Sequence, residues 1–194
     1  MKNKIITVLV IAIIGLGGGL AYEMSRTRTS TLSDGTSTTT TSSPKNKSSS
    51  VLDLSSKGLI VVGPDVFNKS ATTTLILSNN NIQSLPSEMG RLTKLEVFKI
   101  DHNRLDGSLI GEIRKMPLTY LDVSYNNMTG MPAEIGQLNK LQTLDYSYNK
   151  ITGLPNELSN LKNTLKEINL TGNPISQDTL TKLKSELPST TILF

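Results

Sequence analysis

Apolar residues recur along residues 51–194 in the pattern of short strands. Leu118, Leu121 and Val123 are spaced three and then two, and Leu141, Leu144 and Tyr146 repeat that spacing one period later. Positions two apart share one face of an extended segment, and the residue between them faces the other way. Aligning on asparagine gives "LILSNNNI", "FKIDHNRL", "LDVSYNNM", "LDYSYNKI" and "INLTGNPI". Asn80, Asn103, Asn126 and Asn149 thereby follow at equal intervals, and Asn173 comes one position late. A degenerate earlier copy, "LDLSSKGL", puts Lys57 one period upstream. Each strand is too short to stand alone, so the copies must stack as a parallel sheet over one continuous core. Each asparagine is expected to turn inward at the strand end, where its amide satisfies backbone groups of its own turn and of the next copy.

The segments between strands carry a second apolar set. Leu85, Met89 and Leu92, then Met131, Ile135 and Leu138, are expected to face inward along the return side, which Pro86, Pro132 and Pro155 start. The third copy has Ile110 in the proline's place and is expected to be shaped differently there. Near the end, "SQDTLTKLKSELP" spaces Leu180, Leu183 and Leu187 for one helical face, with Ser176 or Asp178 as its cap, and "TTILF" reads as an edge strand. Open sheet ends need covering, and the irregular "VVGPDVFNKSAT" is expected to form part of the first cover.

The pattern L-x-x-L-x-L-x-x-N-x-L, with the intervening "LPSEMGRLTKL", "MPAEIGQLNKL" and "LPNELSNLKNTL", resembles the 23-residue form of the leucine-rich repeat family from residue 51 to about 176. The resemblance implies an α/β leucine-rich-repeat solenoid. A short parallel concave sheet would oppose an irregular or 3-10 convex side, closed by a C-terminal capping helix and an edge strand. The ending is similar to that of many bacterial surface and secreted members. A fold of this kind does not by itself name a function.

Two further segments precede the repeats. Lys2 and Lys4 lead into an uncharged run, Ile5 to Tyr22, which as a helix is about 27 Å long and just spans a bilayer core. Residues 1–24 therefore read as a membrane anchor with the repeats outside the cell. The competing reading is a secretory signal cut after Ala21. From Ser25 to Ser50, two positions in every three are Ser or Thr, which predicts a disordered tether (25–50) ahead of a repeat domain at 51–194.

Charge changes the picture little. Residues 1–50 hold six Lys/Arg against two Asp/Glu, whereas residues 51–194 hold fourteen of each, so the net +4 lies outside the repeats. Nothing clusters as nucleic-acid binding requires, and no nucleic-acid partner is expected. With no cysteine and one histidine, neither a metal site nor any other cofactor is expected.

Candidate chemistry sits on the concave face. One column, between the framework apolar residues, carries Asp53, Ile76, Lys99, Asp122, Asp145 and Asn169. The column before the ladder asparagine carries Ser56, Asn79, His102, Tyr125, Tyr148 and Gly172. A third column carries Val51, Thr74, Val97, Tyr120, Thr143 and Glu167, whereas Tyr146 takes a framework position and is expected in the core. His102, Tyr125 and Tyr148 would then form a ladder, with Tyr120 alongside and Lys99, Asp101, Asp122 and Asp145 nearby. Tyrosines that expose a flat apolar face and a polar tip suit an interface. These eight residues are the candidate partner-binding set, for a protein or cell-surface ligand met by a monomer. The competing reading is that the tyrosines stack on each other and bind nothing. No nucleophile in a cleft accompanies His102, so catalysis is not expected. A passive surface element and an intracellular scaffold are further alternatives.

Overall fold

The computed structural model describes residues 50–194. In chain order the strands are β1 (Val51–Asp53), β2 (Thr74–Ile76), β3 (Val97–Lys99), β4 (Asp106–Gly107), β5 (Tyr120–Asp122), β6 (Asn127–Met128), β7 (Thr143–Asp145), β8 (Glu167–Asn169) and β9 (Thr191–Leu193). Two α-helices, α1 (Pro64–Phe67) and α2 (Gln177–Glu186), and four 3-10 turns complete the inventory. The main sheet is parallel throughout, in the order β1-β2-β3-β5-β7-β8-β9. Its register is the sequence period, with Leu75 opposite Phe98 and Leu121 opposite Leu144. The repeats form the expected open solenoid, sheet on one side and 3-10 turns on the other.

The core lies between those sides. Leu75, Phe98, Leu121, Leu144 and Ile168, one from the centre of each of five strands, are fully buried. Met89, Ile113, Ile135 and Leu158 meet them from the 3-10 turns and are equally buried. A buried side chain of this size contributes about 1.5–3 kcal/mol. Packing between successive turns is tight enough that a Cβ at Gly136 would lie 2.2 Å from the Glu157 carbonyl oxygen. Tyr146 is fully buried as expected, but its hydroxyl finds no partner among the described residues. Such an orphan costs about 1–3 kcal/mol.

The asparagine ladder is formed. Asn126 Nδ2 donates to the carbonyls of Val123 and Ser124 in its own repeat and of Ile100 in the preceding one, each at 3.1 Å. Its Oδ1 accepts from Leu105 N at 2.9 Å. Asn80, Asn103, Asn149 and Asn173 repeat the arrangement, and each reaches back one repeat.

Three expectations become more specific. Ile110 does occupy the proline's structural place, with φ −66 and ψ 143, and a five-residue 3-10 turn follows it as it follows Pro86 and Pro132. The difference lies on either side of the turn. Ile110 is seven residues past its ladder asparagine and Pro86 only six, the extra residue being taken up where Gly107 adopts φ +69. The turn then ends at Met116 with ψ 136, where Leu92 has ψ 57, because Pro117 forces the residue before it into an extended conformation. Secondly, "VVGPDVFNKSAT" covers that end only in part. Its α1 buries Val66 and Phe67 in line with the next repeat's turn, and Val51, Ile60 and Val61 stay exposed at that end. Thirdly, Ser50 belongs to the repeats and not to the tether, since its carbonyl accepts from Thr73 N and Thr74 N.

The other end is as expected. Ser176 Oγ accepts from Thr179 N at 3.2 Å to cap α2, Leu180, Leu183 and Leu187 are buried, and β9 pairs with β8. The anchor or signal segment and the remaining Ser/Thr-rich stretch lie outside the described residues. Among the described residues no helix is long and apolar enough to cross a membrane.

Because one amide joins two repeats, Asn126→Ala is expected to lower stability by about 1–3 kcal/mol. Urea denaturation followed by circular dichroism measures this, and an unchanged midpoint would mean the ladder bonds are dispensable.

Candidate functional site

The backbone places the tyrosines before their side chains matter. At the end of each strand the chain must turn so that the ladder asparagine enters the core. The residue before that asparagine turns through the left-handed region: Ser56, Asn79, His102, Tyr125 and Tyr148 have φ between 52 and 59, and Gly172 has φ 75. Hydrogen bonds to the next repeat fix this, including Tyr125 N to the Ser147 carbonyl at 2.9 Å and Tyr148 N to the Thr171 carbonyl at 2.7 Å. For an L-residue with a Cβ this conformation costs about 1–2 kcal/mol, and asparagine and glycine tolerate it best. Asn79 and Gly172 are the residues such a column favours. Histidine is also tolerated there, but tyrosine is not favoured.

The aromatic ladder exists, but it presents different chemistry from that expected. His102 and Tyr125 stack with ring centroids 4.3 Å apart and planes 16° apart, and Tyr125 and Tyr148 stack at 4.4 Å and 17°. The outer face of Tyr148 lies on Gly172, where an added Cβ would come within 2.8 Å of the ring. Both faces of each tyrosine are therefore covered. The 45% and 47% of Tyr125 and Tyr148 that remain exposed are ring edges and hydroxyls, so the flat apolar faces expected from the sequence are not offered.

Tyr120 stands alongside, half-buried, with its hydroxyl 3.4 Å from Asp122 Oδ2. Lys99 lies with Nζ 5.2 Å from the centre of the Tyr120 ring. Asp101 stands beside the other acids but in the column of half-buried and buried serines, bonding Ser78 Oγ with one oxygen and His102 Nδ1, at 2.9 Å, with the other.

Asp122 and Asp145 have a structural duty that sequence reasoning missed. Asp122 Oδ1 accepts from Ser124 N at 3.0 Å and Ser124 Oγ at 2.7 Å, and Asp145 Oδ1 does the same for Ser147 at 2.8 and 2.6 Å. Asp53 repeats this with Ser55, and Asn169 Oδ1 accepts from Thr171 N. These Asx turns shape the strand exit just ahead of the left-handed residue. The signal was in the sequence, as "LDLS", "LDVS", "LDYS" and "INLT".

Environment separates chemically identical groups. At exposed Asp53 the Ser55 bonds dominate and hold the carboxyl below its usual range. Asp122 makes the same bonds, yet its pKa is raised, first by burial and then by repulsion from Asp101 and Asp145. Burial, followed by the fields of Asp122 and Asp145, pushes Tyr120 up to about 12. Tyr125 is raised too, by loss of water around it, by Tyr148 and by Asp145.

Little else on the molecule competes as a site. A partly open hollow between Leu85, Leu105, Leu109 and Met128 measures about 50 Å³, far below a small-molecule pocket. A larger one of about 340 Å³ among Ser87, Glu88, Arg91, Glu112 and Lys115 is a shallow polar groove along the 3-10 turns, away from this face. Among the described residues no group of three His, Cys, Asp or Glu is placed to hold a metal ion.

Comparison with known proteins adds the following. The family model described as leucine rich repeat matches residues 50–105 and 117–175. A leucine-rich repeat protein of Leptospira interrogans is 34% identical with a TM-score of 0.71, over 74% of this chain and 36% of its own. The Arabidopsis receptor kinase HAESA, solved with the peptide hormone IDA and a co-receptor, is 27% identical with a TM-score of 0.62, over 74% of this chain and 25% of its own. An internalin of Listeria monocytogenes, at 22% identity and a TM-score of 0.57 over 69% and 37% of the two chains, shares the fold. This chain thus spans little more than a third of those structures at most. No curated protein matched.

The raised Tyr120 pKa predicts an alkaline effect. Its phenol keeps its proton longer when folded than when unfolded. The stability it contributes is therefore complete below its unfolded pKa, near 10, and is lost as pH rises toward about 12. Tyr120→Phe is expected to flatten the fall in stability between those values, as read from urea midpoints at successive pH. An unchanged slope would mean that the hydroxyl titrates normally.

Proposed function

The chain belongs to the leucine-rich repeat family, and from that premise we propose that it is a binding module without catalytic activity, recognising a protein or peptide through the outer face of its sheet. The full proposal has the repeats held at the outer surface of a membrane by residues 1–24, on the Ser/Thr-rich segment as a tether. A released form, cut after Ala21, is its variant. The related receptor kinase that was solved with a peptide hormone supports a polypeptide partner.

The observation that carries the reading is the pair Tyr125 and Tyr148, half-exposed at left-handed positions where asparagine or glycine would fit the backbone better. The competing reading, self-stacking without a partner, is favoured by the covered ring faces. Magnitudes weigh against it as a sufficient cause. An aromatic pair adds about 0.5–1.5 kcal/mol beyond the area it buries, and the left-handed backbone costs about 1–2 kcal/mol per residue, so the turn offsets much of what stacking returns.

The test is affinity capture with the full-length chain as bait against extracts of its host, with identification by mass spectrometry. A second bait carries Tyr125→Ser and Tyr148→Ser and is checked for native circular dichroism. A polypeptide held by the first bait and lost at least tenfold from the second is the expected result. Equal capture by both places the binding surface elsewhere, and no specific capture favours the passive element.

A further inference from the structure

Charge on the sheet's outer face is one-sided, although the repeats as a whole are balanced. Residues 51–194 carry fourteen Lys/Arg and fourteen Asp/Glu, yet among outward strand positions the one cationic residue is Lys99. Asp53, Asp122, Asp145 and Glu167 occupy such positions, and Asp101 adjoins them. Lys99 does not neutralise Asp122, its neighbour in register, because its ammonium lies over the Tyr120 ring instead. Among the described residues neither Asp122 nor Asp145 forms an ion pair.

We propose that this face receives an extended, cationic segment of a partner polypeptide, its Lys or Arg side chains seated against Asp122 and Asp145 in the strip between Tyr120 and the Tyr125–Tyr148 column. The inference rests on the sheet face being the binding surface, and it names the chemistry of the occupant. Covered ring faces leave an incoming aromatic group nowhere to stack on Tyr125 or Tyr148, so the accessible chemistry is hydroxyls and carboxylates. The carboxylates are already oriented, because Ser124 and Ser147 each hold one oxygen, and the Tyr120 hydroxyl donates to the other oxygen of Asp122 at 3.4 Å. Asp145 Oδ2 accepts from Asn169 Nδ2 at 3.0 Å, which fixes it further. Preorganised acceptors about one strand spacing apart, roughly 4.8 Å, suit a guanidinium, whose five donors can be shared between two carboxylates. Asp122 gains most from such a cation, since burial and its acidic neighbours already disfavour its charge.

The experiment titrates the full-length chain at low salt with a fluorescein-labelled alternating Arg–Gly peptide, read by anisotropy, with a Glu–Gly peptide as the control ligand. The informative variant is Asp122→Asn with Asp145→Asn. An asparagine keeps the acceptor that the Asx turn needs, as Asn169 does for Thr171. A charge-matched control, Glu88→Gln with Glu157→Gln, removes two exposed acids from the opposite side. The expected result is binding of the Arg–Gly peptide that weakens at least about tenfold in the first variant and not in the second. Equal loss in both variants, no loss in the first, equal binding of the Glu–Gly peptide, or no binding by the native chain would each overturn the cationic occupant. The binding-surface reading fails separately. A partner whose capture ignores Tyr125 and Tyr148 sinks that reading, whereas one that needs them but tolerates the Asp122 and Asp145 changes sinks only the charge assignment.

Discussion

One buried amide per repeat organises this molecule. Each ladder asparagine donates to carbonyls of two repeats and accepts from the backbone of the earlier one, so a strand of three residues is never asked to stand alone. The price is a fixed turn. For the asparagine to enter the core, the residue before it must turn left-handed, and its side chain is thrown outward. The exposed column is thus a product of the same bonds that hold the repeats together. What occupies that column is free to vary, and the chain places serine, asparagine, histidine, two tyrosines and glycine there.

The acidic column follows a related logic. Aspartate two residues before the serine forms an Asx turn, and the turn needs only one of its oxygens. Asparagine at 169 does that work without a charge. Where aspartate is kept in adjacent repeats, at 122 and 145, charge accumulates in a half-buried strip, and the raised pKa of Asp122 records the strain. Tyrosine before the asparagine and aspartate ahead of the serine share a feature: each is a costly choice where a cheaper residue serves the fold. Both concentrate in the repeats of β5 and β7, beside the lone outward lysine.

Much of the fold was legible in the sequence, because a constant repeat period dictates register and the apolar set dictates the core. The ladder, the Tyr146 burial, the α2 cap and the final edge strand are of this kind. Three features were hidden. Pro117 acts on Met116 through its own ring, a local effect that the repeat pattern does not encode. Ring orientation follows from spacing and backbone conformation together, and spacing alone suggested open faces. The double duty of Asp122 and Asp145 was visible as a recurring motif, but its hydrogen bonds run within the strand exit, where attention to outward columns overlooked them. Alternation alone put Tyr120, Asp122 and Asp145 on the outward face, whereas Tyr125 and Tyr148 lie beyond their strands and point outward through the left-handed turn.

Recognition, and not stability, is the role proposed for Tyr125 and Tyr148. The most direct measurement is the unfolding free energy of a chain carrying Tyr125→Asn and Tyr148→Asn, by urea titration against the native chain. Asparagine relieves part of the left-handed cost but forfeits the ring stacking and the area it buries, so a loss of no more than about 2 kcal/mol is expected if the tyrosines serve recognition. A loss of about 3 kcal/mol or more would contradict that role, and would make the ladder a structural element of the sheet.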